Sequence, residues 1–134
     1  MATVVVLPDA SWGARPAVID GLPGAMDVHG VTATEVCGDL VRRDPEPPLI
    51  VIAHGPSCGL LPAVALAQRT AHRRVGAYVV VDPVVPASTD TWPDAPVHVI
   101  TADAQIARMA GLRGWSVSND DVVTLIRRIS SEIV

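Results

Sequence analysis

Short runs of consecutive apolar, β-branched residues alternate along this chain with longer stretches whose apolar positions recur at helical spacing. Thr3–Leu7 is a continuous apolar run closed by Pro8, which predicts a strand buried on both faces. Leu49–Ala53, Val75–Val81 and Val97–Thr101 predict further strands of the same kind. Gly30–Glu35 reads as another strand and Gly114–Val117 as a short last one. Helices are expected at Arg15–Leu22, where Pro16 suits the first turn, and at Leu61–Ala71. A C-terminal helix from Asp121 to about Ile133, capped by Asn119 or Asp120, places Val122, Leu125, Ile126 and Ile129 on one face. Asp44–Pro48 and Trp92–Pro96 are proline-stiffened loops.

Strands that are apolar throughout and separated by helices predict an α/β domain with a mostly parallel sheet covered on both faces. In such sheets ligands bind outside the carboxyl ends of the strands. Attention therefore falls on the junctions Pro8–Gly13, Glu35–Gly38, His54–Gly59, Asp82–Pro86 and Ala102–Ala104.

Composition narrows the picture. The 134 residues suit one domain, taken as 1–134, and 49% of them are hydrophobic against 18% charged, which excludes a disordered chain. A net charge of −4 predicts no general attraction to nucleic acid or to an anionic membrane. The apolar runs are too short to span a bilayer. No signal-peptide pattern is visible, and Cys37 and Cys58 form neither a CxxC pair nor a disulfide framework, so a reducing, cytoplasmic setting is expected. All ten basic residues are arginine. The pairs Arg42–Arg43, Arg73–Arg74 and Arg127–Arg128 are either solvated element ends or a docking patch for an acidic partner. No P-loop, no G-x-G-x-x-G after the first strand and no clustered metal ligands occur, so no cofactor or metal is indicated.

Leu49-Ile50-Val51-Ile52-Ala53-His54-Gly55 followed by Leu60-Leu61-Pro62-Ala63 resembles the strand, elbow and helix of α/β-hydrolases, most of all small actinobacterial members. Ala77–Asp82 and Pro96–Asp103 are similar to that family's next two strands, and Leu7–Trp12 resembles the loop that helps build its oxyanion hole. The resemblance implies a minimal core without a lid. It also implies a crevice lined by Pro8, Asp9, Ala10, Trp12, Gly55 and Trp92. The family's nucleophilic serine falls on Gly55, the acid on Asp103 or Asp82, and the late histidine has no counterpart in Gly114–Asn119. A serine–histidine–aspartate mechanism needs all three roles within hydrogen-bond reach.

Two other nucleophiles stay open. Gly55-Pro56-Ser57-Cys58-Gly59 matches G-x-S-x-G with Ser57 as the shifted nucleophile, although Pro56 is unusual inside such an elbow. Cys58, at the start of a helix, is either an acyl-accepting thiol or a small buried hydrophobe, and Cys37 poses the same choice near an expected strand end. His54 beside the elbow is the one histidine placed for catalysis; His98 reads as core, and His29 and His72 as exposed. Trp12, Trp92 and Trp115 serve either as core caps or as walls for a planar acyl group.

Three functions follow as expectations. The first is transfer of an acyl group from an activated thioester, carried on an acyl-carrier protein, to a thiol or hydroxyl acceptor such as a peptide cysteine. The resemblance implies a natural-product pathway, of which thiopeptide biosynthesis is an instance. The second is a silent binding module that kept the crevice and lost the chemistry. The third is a small esterase or thioesterase, for which no base to activate water is found. The oligomeric state is open, a homodimer included.

Overall fold

A computed structural model describes residues 2–8, 25–83 and 92–133. Among these, six strands form one parallel sheet: β1 (Thr3–Val6), β2 (Met26–Asp27), β3 (Leu49–His54), β4 (Val75–Val81), β5 (Val97–Ile100) and β6 (Ser116–Ser118). Their order across the sheet is β2-β1-β3-β4-β5-β6, and every neighbouring pair is parallel. Among the described residues four helices flank it: α1 (Ala33–Arg43), α2 (Leu61–Thr70), α3 (Ala104–Leu112) and α4 (Val122–Glu132). The expected α/β architecture is thus present, and between β1 and β3 the order of strands switches from one side of β1 to the other.

The fully apolar runs are the central strands because both of their faces are covered. On one face Val51, Ala53, Tyr78, Val80, Val97 and Val99 meet Val36 and Leu40 of α1, Leu61, Val64 and Ala65 of α2, and Ala110 of α3. On the other, Ile50, Ile52, Val79 and Val81 meet Val122, Leu125, Ile126 and Ile129 of α4. The expected α4 stripe is the buried one, and its cap is Asp121, whose side chain accepts from the Thr124 N–H. Truncating a fully buried member such as Leu125 to alanine costs about 2–5 kcal/mol.

The strand expected at Gly30–Glu35 is not one. Val31, Thr32 and Thr34 are β-branched, but Thr32-x-x-Glu35 is a capping box that starts α1. Thr32 Oγ1 accepts from the Glu35 N–H at 3.2 Å, and Glu35 Oε1 accepts from the Thr32 N–H at 3.1 Å. Gly30 permits the approach: its φ is +145°, and a Cβ there would lie 2.8 Å from the Val36 nitrogen. Cys37 consequently sits on a helix, not near a strand end, and Glu35–Gly38 is no junction. A second departure is α3, which the apolar pattern did not announce. Asp103 caps it, accepting from the N–H groups of Gln105 at 2.8 Å and Ile106 at 3.2 Å.

Candidate functional site

The carboxyl ends of β3, β4 and β5 lie level. His54 pairs with Val81, and Val81 with Ile100, so Gly55, Asp82 and Thr101 emerge side by side. Pro8 follows β1 at the same end, where the Leu7 N–H donates to the Ile52 carbonyl. The expected contributions of Asp9, Ala10 and Trp12, and the helix at Arg15–Leu22, lie outside the described residues.

Past His54 the chain turns sharply into a 3-10 turn, Gly55–Leu60, that runs directly into α2. Gly55 is the hinge of that turn, with φ +53°, a left-handed conformation that costs a side-chain-bearing residue about 1–2 kcal/mol. The residue in the strained position immediately after β3 is therefore one without a side chain.

Ser57 is turned away from solvent. It is 3% exposed, its hydroxyl donates to the His54 carbonyl at 2.8 Å, and it accepts from the His54 N–H at 2.9 Å. Both functions of the hydroxyl are spent on closing the turn, so Ser57 is not presented as a nucleophile. Cys58 is 1% exposed among the apolar residues beneath α1 and α2, which is the small-hydrophobe reading of that thiol. Cys37 is half-buried, with its thiol toward the Ala63 carbonyl at 3.7 Å, and burial pushes it up from the ordinary thiol range. Cys37 thus lacks the lowered character of a reactive thiol, and Cys58 lacks the exposure.

Among the acids, Asp103 is committed to the α3 cap through one oxygen. Asp82 is the exposed carboxylate beside the Gly55 turn, and it holds a φ of +45° that few non-glycine residues adopt. Its backbone N–H donates to the Ile100 carbonyl, which ties this unusual conformation to the neighbouring strand. Half-buried His54, Gly55, Asp82 and Thr101 are the groups that this end of the sheet brings together.

Trp92 is elsewhere. The loop that carries it leads into the amino end of β5, so it lies opposite the end where ligands bind in such sheets. It is 1% exposed and packs edge-on between Tyr78 and Trp115, with ring centroids 5.4 and 5.3 Å away. Of its two sequence readings the core cap is the one realised. The same aromatic group includes a contact invisible in the sequence: Tyr78 Oη donates to Asp94 at 2.6 Å, and burial with this carboxylate pushes the phenol well above its usual range.

The arginine pairs are largely occupied within the chain. Arg42 and Arg43 both engage Asp39, which also accepts from the His29 N–H at 2.9 Å. Arg73 is buried against Asp44 at 3.0 Å and Gln68 at 2.5 Å, and Arg128 binds Asp120 at 2.6 Å. His29 and His72 are exposed as expected. His98 is half-buried, and burial, then Arg128, lowers its pKa against a smaller opposing effect of Glu132. Among the described residues no group of three histidines, cysteines or acids could hold a metal ion, and no helix is long and apolar enough to cross a membrane. Comparison with protein families, with curated proteins and with solved structures finds no match.

Proposed function

We propose that this chain is a binding module with an α/β-hydrolase-like core, which holds a small acyl compound over the Gly55 turn without forming a bond to it. The observation that carries the reading is the pairing of Gly55 with Ser57. The strained position after β3 bears no side chain, and the one hydroxyl in the turn is buried and bonded twice to His54. A nucleophile elbow needs its hydroxyl at the strained tip, facing substrate. A turn of this shape with a glycine tip offers backbone and space in place of a reactive group.

A second reading rests on Asp82. Its carboxylate is exposed next to the Gly55 turn and is suited to take the proton of an incoming thiol or hydroxyl. With an activated thioester bound beside it, the acceptor oxygen or sulfur would bond to the acyl carbon, the carbon–sulfur bond would break, and the released thiolate would recover the proton from Asp82. That is acyl transfer by positioning, with no acyl-enzyme. An acyl-carrier protein as donor and a peptide cysteine as acceptor belong to this reading. The esterase reading lacks any favouring observation.

Intact-protein mass spectrometry after exposure to aryl and alkyl acyl thioesters separates these cases. The binding module gives no adduct and no acylation of an added thiol. Acylation of the thiol, lost in Asp82→Asn, would replace it with positioned transfer. An adduct that disappears in Ser57→Ala or Cys58→Ala would overturn both.

A further inference from the structure

The two edges of the sheet are built differently. At one edge β2 is only two residues long and presents the exposed, charged Asp27, features that keep other strands away. At the other, β6 is Ser116-Val117-Ser118, pairs only with β5 among the described residues, and carries no charge, proline or bulge. Beside it stand apolar side chains in solvent: Val117 is 43% exposed, Leu112 at the end of α3 is 83% exposed, and Met109 38%. An edge strand with open backbone groups and an apolar surround is a template for a further strand.

We propose that β6 is the interface for a second copy of this chain, paired antiparallel about a two-fold axis through Val117. The strand itself indicates the partner. Ser-Val-Ser reads the same in both directions, so the axis sets Val117 against Val117 and each Ser116 against a Ser118, apolar on apolar and hydroxyl on hydroxyl. The flanks fit the same operation. Exposed Arg113 precedes β6 and exposed Asp121 follows it, so antiparallel pairing turns the basic end of each strand toward the partner's acidic end. A parallel arrangement would instead set Arg113 against Arg113. The two sheets would join into one of twelve strands, twice the six of each copy.

So short a strand with its helix-end flank makes an interface at the small end of the range, and therefore a weak dimer. Sedimentation velocity of the whole chain from about 10 to about 500 μM should show monomer passing into dimer, as expected for micromolar association. Val117→Lys places two like charges on the axis and should weaken association by about tenfold or more. Arg113→Asp, which also removes the guanidinium from over the Trp115 ring, should weaken it by a smaller factor. Val117→Cys should cross-link to itself on mild oxidation, since facing residues of antiparallel strands lie within disulfide reach, whereas Leu112→Cys should not. Far-UV circular dichroism checks that each variant folds. A chain that stays monomeric throughout, a dimer indifferent to Val117→Lys, or efficient cross-linking through Leu112→Cys instead of Val117→Cys would overturn the proposal.

Discussion

The two ends of the sheet use polar residues in opposite ways. At the amino end, Tyr78, Trp92 and Trp115 stack edge to face, and the one phenol is tied to Asp94. The three rings are buried there against one another. At the carboxyl end, by contrast, two adjacent strand ends, at Gly55 and Asp82, sit in left-handed backbone conformations, and the acid between solvent and sheet is exposed. Positive φ is shared with the amino end, where Asp44 and His72 adopt it ahead of β3 and β4. What sets the carboxyl end apart is an exposed carboxylate beside a glycine-tipped turn, in place of buried aromatic packing. On the proposed reading, the amino end serves the fold and the carboxyl end serves binding.

The largest effect is expected at the amino end. Trp92→Ala should cost about 3–5 kcal/mol, read by denaturant unfolding, because a fully buried indole and two aromatic contacts are lost. At the carboxyl end, Ser57→Ala should cost about 1–3 kcal/mol by leaving the buried turn at His54 without its bridging hydroxyl, yet leave ligand binding in place. Loss of binding without loss of stability in that variant would blur the division. Tyr78→Phe should cost about 1 kcal/mol, since Asp94 is near enough to solvent to recover water.

The smallest effects are those of pH. Glu35, Asp39 and Asp121 are held below the ordinary carboxylate range, chiefly by the backbone N–H groups of Thr32, His29 and Thr124 respectively. Their stabilisation is complete above the unfolded carboxylate range and is lost as pH falls through the lowered values. His98 is lowered as well, by burial first, so the unfolded chain takes up its proton before the folded one. Stability therefore begins to decline as pH drops below the ordinary histidine range, and thermal melts of His98→Gln should lack that early decline.

Much of the fold was legible because burial on both faces leaves an unmistakable trace. Leu49–Ala53 and Val75–Val81 are apolar without interruption, and the α4 stripe of Val122, Leu125, Ile126 and Ile129 has helical spacing. The start of α1 was misread because β-branched Val31, Thr32 and Thr34 resemble a strand, whereas a hydrogen-bonded capping box decides the matter. The signal was present in Thr32-x-x-Glu35. Helix α3 buries only Ala110, so its periodicity is faint and only its Asp103 cap announces it.

The site was legible in part. The turn at His54–Gly59 and the carboxylate at Asp82 follow from strand ends, which sequence locates well. The direction of Ser57 does not, because G-x-S-x-G specifies spacing and leaves the rotation of the turn open. Trp92 was ambiguous for a similar reason: a loop between two parallel strands visits both ends of the sheet. Only the register of β5 puts this residue at the amino end.

Nuclear magnetic resonance titration of the labelled chain with an aryl acyl thioester tests most directly whether binding belongs to the Gly55 end. Saturable shifts at His54, Gly55, Asp82 and Thr101, with Trp92 and Asp94 unmoved and the thioester recovered intact, are the expected result. Shifts centred on Trp92 and Asp94, or a covalent change at Ser57 or Cys58, would contradict it.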